Sequence, residues 1–482
     1  MQSNTRRFGQ AVIIGGSIGG LMSARVLAEH FDQVIVLERE SAPTGPEPRK
    51  NAPQGRHIHA LLEAGLKVME GLFPGLMAEM EHAGADVIDM ARDAAWLQAG
   101  SWKARYEGDI QTLLVSRPFL EWKMRGRVAA LPNVRLRSSV TVEELLLDDT
   151  RSRVSGVRVQ GPEGEERLQA DLVVDAGGRG SHAPRWLREL GFGEVAEDEV
   201  RINLGYTSRM YERPANFDAW KILSISGTAP EHHRAAYISN VEGNRWIVSL
   251  IGYFGDHPPT DHEGFLEFAR KLPVPDVHEY LRHARPLSEP VLYKIPTNRW
   301  LHYERMRLPG GFMLLGDSVC ALNPVFGQGM TTCALGAQWL GESVAEARRS
   351  AQGLDTGVSR RFQQRLAKLL EQCWSLTSTM DLMHPRAEGK RPPGLKALQR
   401  TFMNMIDLTS RDAAACQIFY ESLHQRTGIT GLLQPRFLGA LVAYSVKSLF
   451  VPRAERANVG QMPPHPRPTP PHRPSGRMNS AA

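Results

Sequence analysis

The segment Gly15-Gly16-Ser17-Ile18-Gly19-Gly20 constrains this chain more than any other. It follows a short β-branched run, AVIIGG, and opens a good helix former, LMSARVLAEH. A second apolar run, QVIVLERE, comes next. Strand, glycine turn, helix and strand make a βαβ unit, with parallel strands and a right-handed crossover. The G-x-G-x-x-G spacing is met at Gly15 and Gly20, with Ser17 in the second glycine slot. The first glycine permits the tight turn, the second position must let backbone approach a pyrophosphate, and the third packs helix on strand. A helix N-terminus there offers free N–H groups and partial positive charge to phosphates. Glu38 closes the second strand, 23 residues after Gly15, where an acid accepts hydrogen bonds from a ribose. The unit predicts a dinucleotide cradle.

A distant segment separates flavin from nicotinamide. In GFMLLGDSVCALNPVFGQGM (residues 311–330) a strand ends at Gly316-Asp317, a loop carries Pro324, and Gly327-Gln328-Gly329 opens another helix. An Asp at that strand end can accept from a ribityl hydroxyl. The glycines bring a helix N-terminus to the flavin edge where negative charge develops on reduction.

With these residues the chain resembles the FAD-dependent monooxygenases of the p-hydroxybenzoate hydroxylase fold. Ser116-Arg117 fits that family's helix-borne FAD arginine, and DLVVDAGGRGS (171–181) sits where its middle motif lies. The stretch Pro53-Gln54-Gly55-Arg56-His57-Ile58-His59-Ala60-Leu61 is similar to a PQ-x-RH-x-H-x-L segment of bacterial polyether-type epoxidases. The resemblance implies FAD, held by Gly15, Gly16, Ser17, Ile18, Gly19, Gly20, Glu38, Arg39, Arg56, Arg117, Val140, Gly316, Asp317, Pro324, Gly327, Gln328, Gly329 and Met330, and noncovalent binding is expected because no His or Cys lies in a recognised flavinylation context. The chain departs from the family at Gly177-Gly178, where the middle motif has Asp-Gly. That departure weakens the case for direct use of NADPH and points to a separate flavin reductase.

The expected fold class is α/β: a Rossmann-like FAD-binding domain with a sheet-rich substrate domain and a helical C-terminal region. The FAD-binding domain takes residues 1–182, including a helical insert, and 300–350. The substrate sheet takes 183–299 and the helical region 351–455. Residues 456–482 hold seven prolines, four arginines and no acid, and read as a disordered, dispensable tail. The greasy stretch Phe437–Val451 is interrupted by Lys447 and reads as a packed helix, with a membrane-resting helix as the other reading. Trp220, Tyr237, Trp246, Tyr253 and Phe254 read as core, one face of which could line a substrate cavity.

The formal net charge of +6, spread along 482 residues, suits an anionic small ligand and gives no nucleic-acid footprint. Four cysteines without CxxC spacing argue against a zinc framework and for a reducing cytoplasm. His57 and His59 alternate on an extended stretch, but no third ligand accompanies them, so no metal is expected. No run reaches the roughly 18 apolar residues of a transmembrane helix.

The resemblance implies insertion of one oxygen atom from O2, through a flavin C4a-hydroperoxide, into a lipophilic secondary metabolite by epoxidation or hydroxylation. No catalytic residue is assigned. The other readings are an aromatic hydroxylase using NADPH directly, a halogenase (whose WxWxIP pattern the tryptophans do not form), a prenyl-chain dehydrogenase or reductase, and a flavoprotein scaffold without turnover.

Overall fold

The computed structural model describes residues 7–50, 52–350, 353–451 and 462–465. The opening βαβ unit forms as its sequence predicts: strand Phe8–Ile14, helix Ile18–Leu27, strand Phe31–Glu38. These strands lie inside a five-stranded parallel sheet. Its order is Phe312–Leu314, Leu172–Asp175, Phe8–Ile14, Phe31–Glu38, Val134–Ser138. Ala11, Val12 and Ile13 are fully buried, as expected of a parallel strand covered on both faces. The strand ends at Ile14, Asp175 and Leu314 lie side by side. The three sequence segments read as cofactor motifs therefore meet at one sheet edge, where α/β folds bind ligands.

The second layer is a nine-stranded sheet built mainly on the long strand Glu197–Glu212. That strand pairs with Val291–Leu301 on one side and Arg245–Gly252 on the other. The sheet does not respect the expected boundaries. Strand Ala94–Gln98 pairs with Ile222–Ile225, and Cys320–Ala321 pairs with Arg299 and Trp300. The insert expected to be helical is thus partly strand, because Ala95 and Leu97 find a fully apolar partner surface in Leu223 and Ile225. Trp220 and Trp246 stack at 5.2 Å in the core beneath this sheet.

Helices Thr356–Asp381, Leu395–Thr409, Ala413–Leu423 and Pro435–Lys447 form the C-terminal region. They are fastened to the rest by charge. Arg426 grips Glu63 with two hydrogen bonds of 2.6 Å. The buried ammonium of Lys103 donates to the Ile406 carbonyl at 3.1 Å and to Thr409. Among the described residues no helix is long and apolar enough to cross a membrane.

Most of the proline-rich end (456–461 and 466–482) lies outside the described residues. Met462–His465 packs on the body, unlike the detached tail that composition suggests. Pro463 accepts from Arg105 at 3.1 Å, and His465 meets the Asp93 carboxylate at 3.0 Å. A chain ending at Glu455 should therefore melt lower than one ending at Arg467. One polar contact of about 1 kcal/mol corresponds, in a chain this large, to a drop on the order of 1–2 °C. Differential scanning calorimetry of both truncations checks this, and equal melting temperatures would show the docked residues to be idle.

Candidate functional site

The glycine turn sets the geometry. Gly15 has φ +98°, and a Cβ on Gly20 would stand 1.8 Å from the Gly15 carbonyl oxygen. Only glycine lets the helix start this close to the strand. Ser17 is the N-cap, but its side chain caps nothing. It donates instead to Glu121 at 2.7 Å and accepts from Arg117 at 3.0 Å.

Arg117, Glu121 and Arg125 follow i, i+4, i+8 spacing along the helix Arg117–Ala129, so they share one face. Arg125 donates to the Gly16 carbonyl. Arg49 bridges Glu38 and Glu121, at 2.8 Å each. Glu38 also accepts from the Gly16 N–H at 3.1 Å and the Glu40 N–H at 3.2 Å. Burial raises the Glu38 carboxyl, but Arg49 and these donors outweigh it and hold it below its ordinary range. The Nε groups of Arg49, Arg117 and Arg125 are buried with no partner. Arg49, Arg117 and Arg125 line a solvent-open cleft with about 330 Å³ of empty space, part of it bulk solvent. Buried donors cost free energy unless they are satisfied. Three guanidinium donors beside a helix N-terminus fit a pyrophosphate, so this groove fits FAD.

At the other motif, Asp317 keeps 43% of its side chain exposed, and its nearest cation, Arg179, stands 3.9 Å away. Arg179 is itself held by the carbonyls of Thr297 and Leu322. The turn Pro324–Phe326 ends at Gly327, with φ +66°, and Gly329 begins the helix Gly329–Arg349. The 57–59 stretch passes between the groove and the second sheet. His59 meets Arg117 at 3.0 Å, and His57 Nδ1 meets the Ser208 hydroxyl at 2.7 Å. Burial, reinforced by Arg56 and Arg117, pushes both imidazoles down to about 3, so both are neutral at physiological pH. No metal-ligating cluster forms among the described residues.

Not every residue of the expected set points into the groove. Ile18 and Met330 are buried in the apolar core. Gln328 is fully buried and faces Cys373 and Gln425 of the C-terminal region. Its side chain is drawn there by partners that lie far off in sequence, and its side-chain amide N–H also reaches the Phe326 carbonyl of the turn and the Leu423 carbonyl, at 3.4 Å each. Val140 donates its N–H to the Glu38 carbonyl at 2.9 Å, and Arg39 and Arg56 stand exposed. Sequence reading missed Arg49, Glu121 and Arg125. The i, i+4, i+8 series from Arg117 was a usable signal for the last two. Arg49 sits in a proline-rich loop and offered none.

The middle motif keeps a carboxylate, but in a different place. Asp175 ends its strand fully buried, accepting from the Ser181 hydroxyl at 2.6 Å and the Gly177 N–H at 2.8 Å. It ties the turn together from beneath, and Gly177 leaves the surface without an acid.

Beyond the Pro324–Phe326 turn lies a cleft with about 710 Å³ of empty space, part of it open to solvent. Trp96, Tyr237, Tyr253, Phe326, Met403 and Ile406 line it, together with Asp381 and His384. Asp381 accepts from Asn298 at 2.6 Å and from Asn323 at 2.8 Å. Asn323 also donates to the Tyr253 hydroxyl at 3.1 Å and caps the turn through the Val325 N–H. One side-chain network thus links the Pro324–Phe326 turn to the cleft wall. Burial pushes the Asp381 carboxyl up to about 7, against the pull of the two amides.

Two predictions follow from this geometry. Asp317→Ala and Arg117→Ala should each release flavin. A charge-assisted hydrogen bond of about 1.5–3 kcal/mol corresponds to roughly 10- to 150-fold in affinity. Flavin fluorescence after gel filtration measures this, and full occupancy would remove the residue from the site. Asp381 carries the pH prediction. Its folded pKa lies above an unfolded value of about 3.9, so its stabilising contribution is complete below about pH 4 and is lost as pH rises through 7. Asp381→Asn cannot ionise, and the unpartnered Asn298 Oδ1 can accept its amide. The variant should gain melting temperature relative to the parent between about pH 5 and pH 8. A pH-independent difference would contradict the assignment.

Comparison with known proteins gives a consistent picture. Residues 9–370 match a family described as "FAD binding domain". The chain is 32% identical over 394 residues to Protein Rv3254 of Mycobacterium tuberculosis, covering 80% of this chain and 82% of that one. It is 24% identical to a kynurenine 3-monooxygenase of Salinispora arenicola, covering 68% and 70%. Its fold matches the crystal structure of p-nitrophenol 4-monooxygenase PnpA from Pseudomonas putida, with TM-score 0.62 and 19% identity over 87% of this chain and 99% of that one. The glycine cradle, the arginine-lined groove and the acid at the second strand end all lie within the matched residues, and the chain belongs to the FAD-binding-domain family, with the fold shared by flavin-dependent monooxygenases of the p-hydroxybenzoate hydroxylase type.

Proposed function

We propose that the protein inserts one oxygen atom from O2 into a lipophilic small molecule, by epoxidation or hydroxylation. The observation that carries this reading is the cleft lined by Trp96, Tyr237, Tyr253 and Phe326 against the Pro324–Phe326 turn. One wall is aromatic and aliphatic, and His232, His233, Arg234, Asp381 and His384 supply polar groups beside it, as in sites where an apolar body carries a polar handle. Bound FAD supplies the activation of oxygen. The chain's own residues do the rest. The apolar wall excludes water and holds the reacting carbon near the turn. The buried amide network keeps Asn323 and the turn in register. Asp381, poised near neutrality, can hold or release a proton at the cleft wall, which suits hydroxylation of a phenol; an alkene epoxidation needs no such group. Purified protein with FAD, a reducing system and candidate polyenes or phenols should yield products heavier by one oxygen, traceable with labelled O2. Consumption of reductant with no labelled product across both classes would count against the reading.

We further propose that electrons come from a separate flavin reductase. Gly177 removes the family's surface acid, and Asp175 is sealed beneath the turn by Ser181 and Gly177. A nicotinamide ribose thus lacks the acceptor that would orient it, and hydride transfer depends steeply on orientation. Anaerobic stopped-flow with saturating NADPH should show slow reduction of the bound flavin, with a large gain in turnover when a reductase is added. Direct reduction on the order of 10 per second would overturn this.

A further inference from the structure

Large apolar side chains are seldom left exposed, and where they cluster they mark an interface. Nine such side chains are exposed among the described residues, and seven of them lie within residues 429–450. Leu438, Val442 and Val446 follow i, i+4, i+8 spacing on the helix Pro435–Lys447, with Leu433, Leu449 and Phe450 at its ends. Val442 is 61% exposed and Phe450 80%. The opposite face is satisfied: Phe437 and Leu441 are buried against Met405 and Leu408 of the helix Leu395–Thr409. The helix is therefore seated on the body by one apolar face and presents another outward.

The two chain segments that carry this face have charge of one sign. Residues 422–454 contain no Asp or Glu, and neither do residues 389–406. Arg436 and Lys447 are exposed beside the stripe. On the neighbouring helix Lys396 and Arg400 flank Leu398, another of the nine exposed apolar side chains. An exposed apolar stripe with cationic edges complements an anionic lipid surface, where apolar burial and attraction to acidic headgroups add. A self-associating face of this kind would bring like charges together. The same helix Leu395–Thr409 also reaches the substrate cleft through Met403 and Ile406.

We propose that the outer face of Pro435–Lys447, with Leu398 and its flanking cations, docks on the surface of an anionic bilayer. Resting on the reading of a lipophilic substrate, this places the cleft's helical wall against the phase in which such a substrate dissolves.

The test uses the full chain with FAD and cosedimentation with vesicles. Binding is expected to phosphatidylcholine vesicles containing about a quarter phosphatidylglycerol, and to fall by tenfold or more on phosphatidylcholine alone or at high salt. The double variant Val442→Glu/Val446→Glu changes only exposed positions. It should keep its flavin and melting temperature and lose vesicle binding. Arg436→Glu/Lys447→Glu should lose the preference for phosphatidylglycerol. A chain ending at Val451 should bind as the full chain does. Several outcomes would overturn the proposal: no binding to either vesicle, binding unchanged in Val442→Glu/Val446→Glu, or a dimer in sedimentation velocity that this variant dissociates. A chain ending at Val451 that binds far more tightly than the full chain would show instead that the proline-rich end covers the face. Vesicle binding is read without turnover, so it can fail while the oxygenation assay succeeds, and the reverse.

Discussion

The contact between the Gly15 carbonyl and the Cα of Gly20 governs the rest of this molecule. No side chain fits between them, so the helix Ile18–Leu27 begins within one turn of the strand that feeds it. Its N-terminus then points at the edge where Ile14, Asp175 and Leu314 end together. The other cofactor elements are arranged around that point. Glu38 is held from the Gly16 N–H, Arg125 reaches the Gly16 carbonyl, and Arg117 reaches Ser17.

Charge in the groove is balanced but incompletely satisfied. Arg49, Arg117 and Arg125 face Glu38, Glu40 and Glu121, three cations against three carboxylates, and each arginine leaves its Nε unpaired. A neutral ligand would leave those donors unsatisfied, whereas the oxygens of a pyrophosphate would complete them. The same economy appears at Asp175, whose carboxylate is consumed by the turn it stabilises.

The two sheets are mechanically joined instead of lying as separate domains. The insert around Ala94–Gln98 leaves the parallel-sheet layer to extend the second sheet, and Cys320–Ala321 joins that sheet's other edge just before the Pro324–Phe326 turn. Asn323 then links the turn to Asp381 at the end of the helix Thr356–Asp381 and to Tyr253. The end of this C-terminal helix is thereby tied to the turn through buried hydrogen bonds, which strengthen in a low-dielectric interior.

The βαβ opening, the Gly316-Asp317 strand end and the helix opened by Gly327-Gln328-Gly329 were legible in the chain because each rests on local rules: apolar periodicity, turn chemistry and helix-terminus electrostatics act over a few residues. The cofactor class followed from combining them. The inward turn of Gln328 was not legible, since Cys373 and Gln425 lie 45 and 97 residues away. Arg49 in its loop, the strand character of Ala94–Gln98, the near-neutral Asp381 and the outward apolar face of Pro435–Lys447 were likewise decided only in three dimensions. Each depends on which surface arrives beside it, and burial, unlike periodicity, is a property of neighbours that the local sequence does not name.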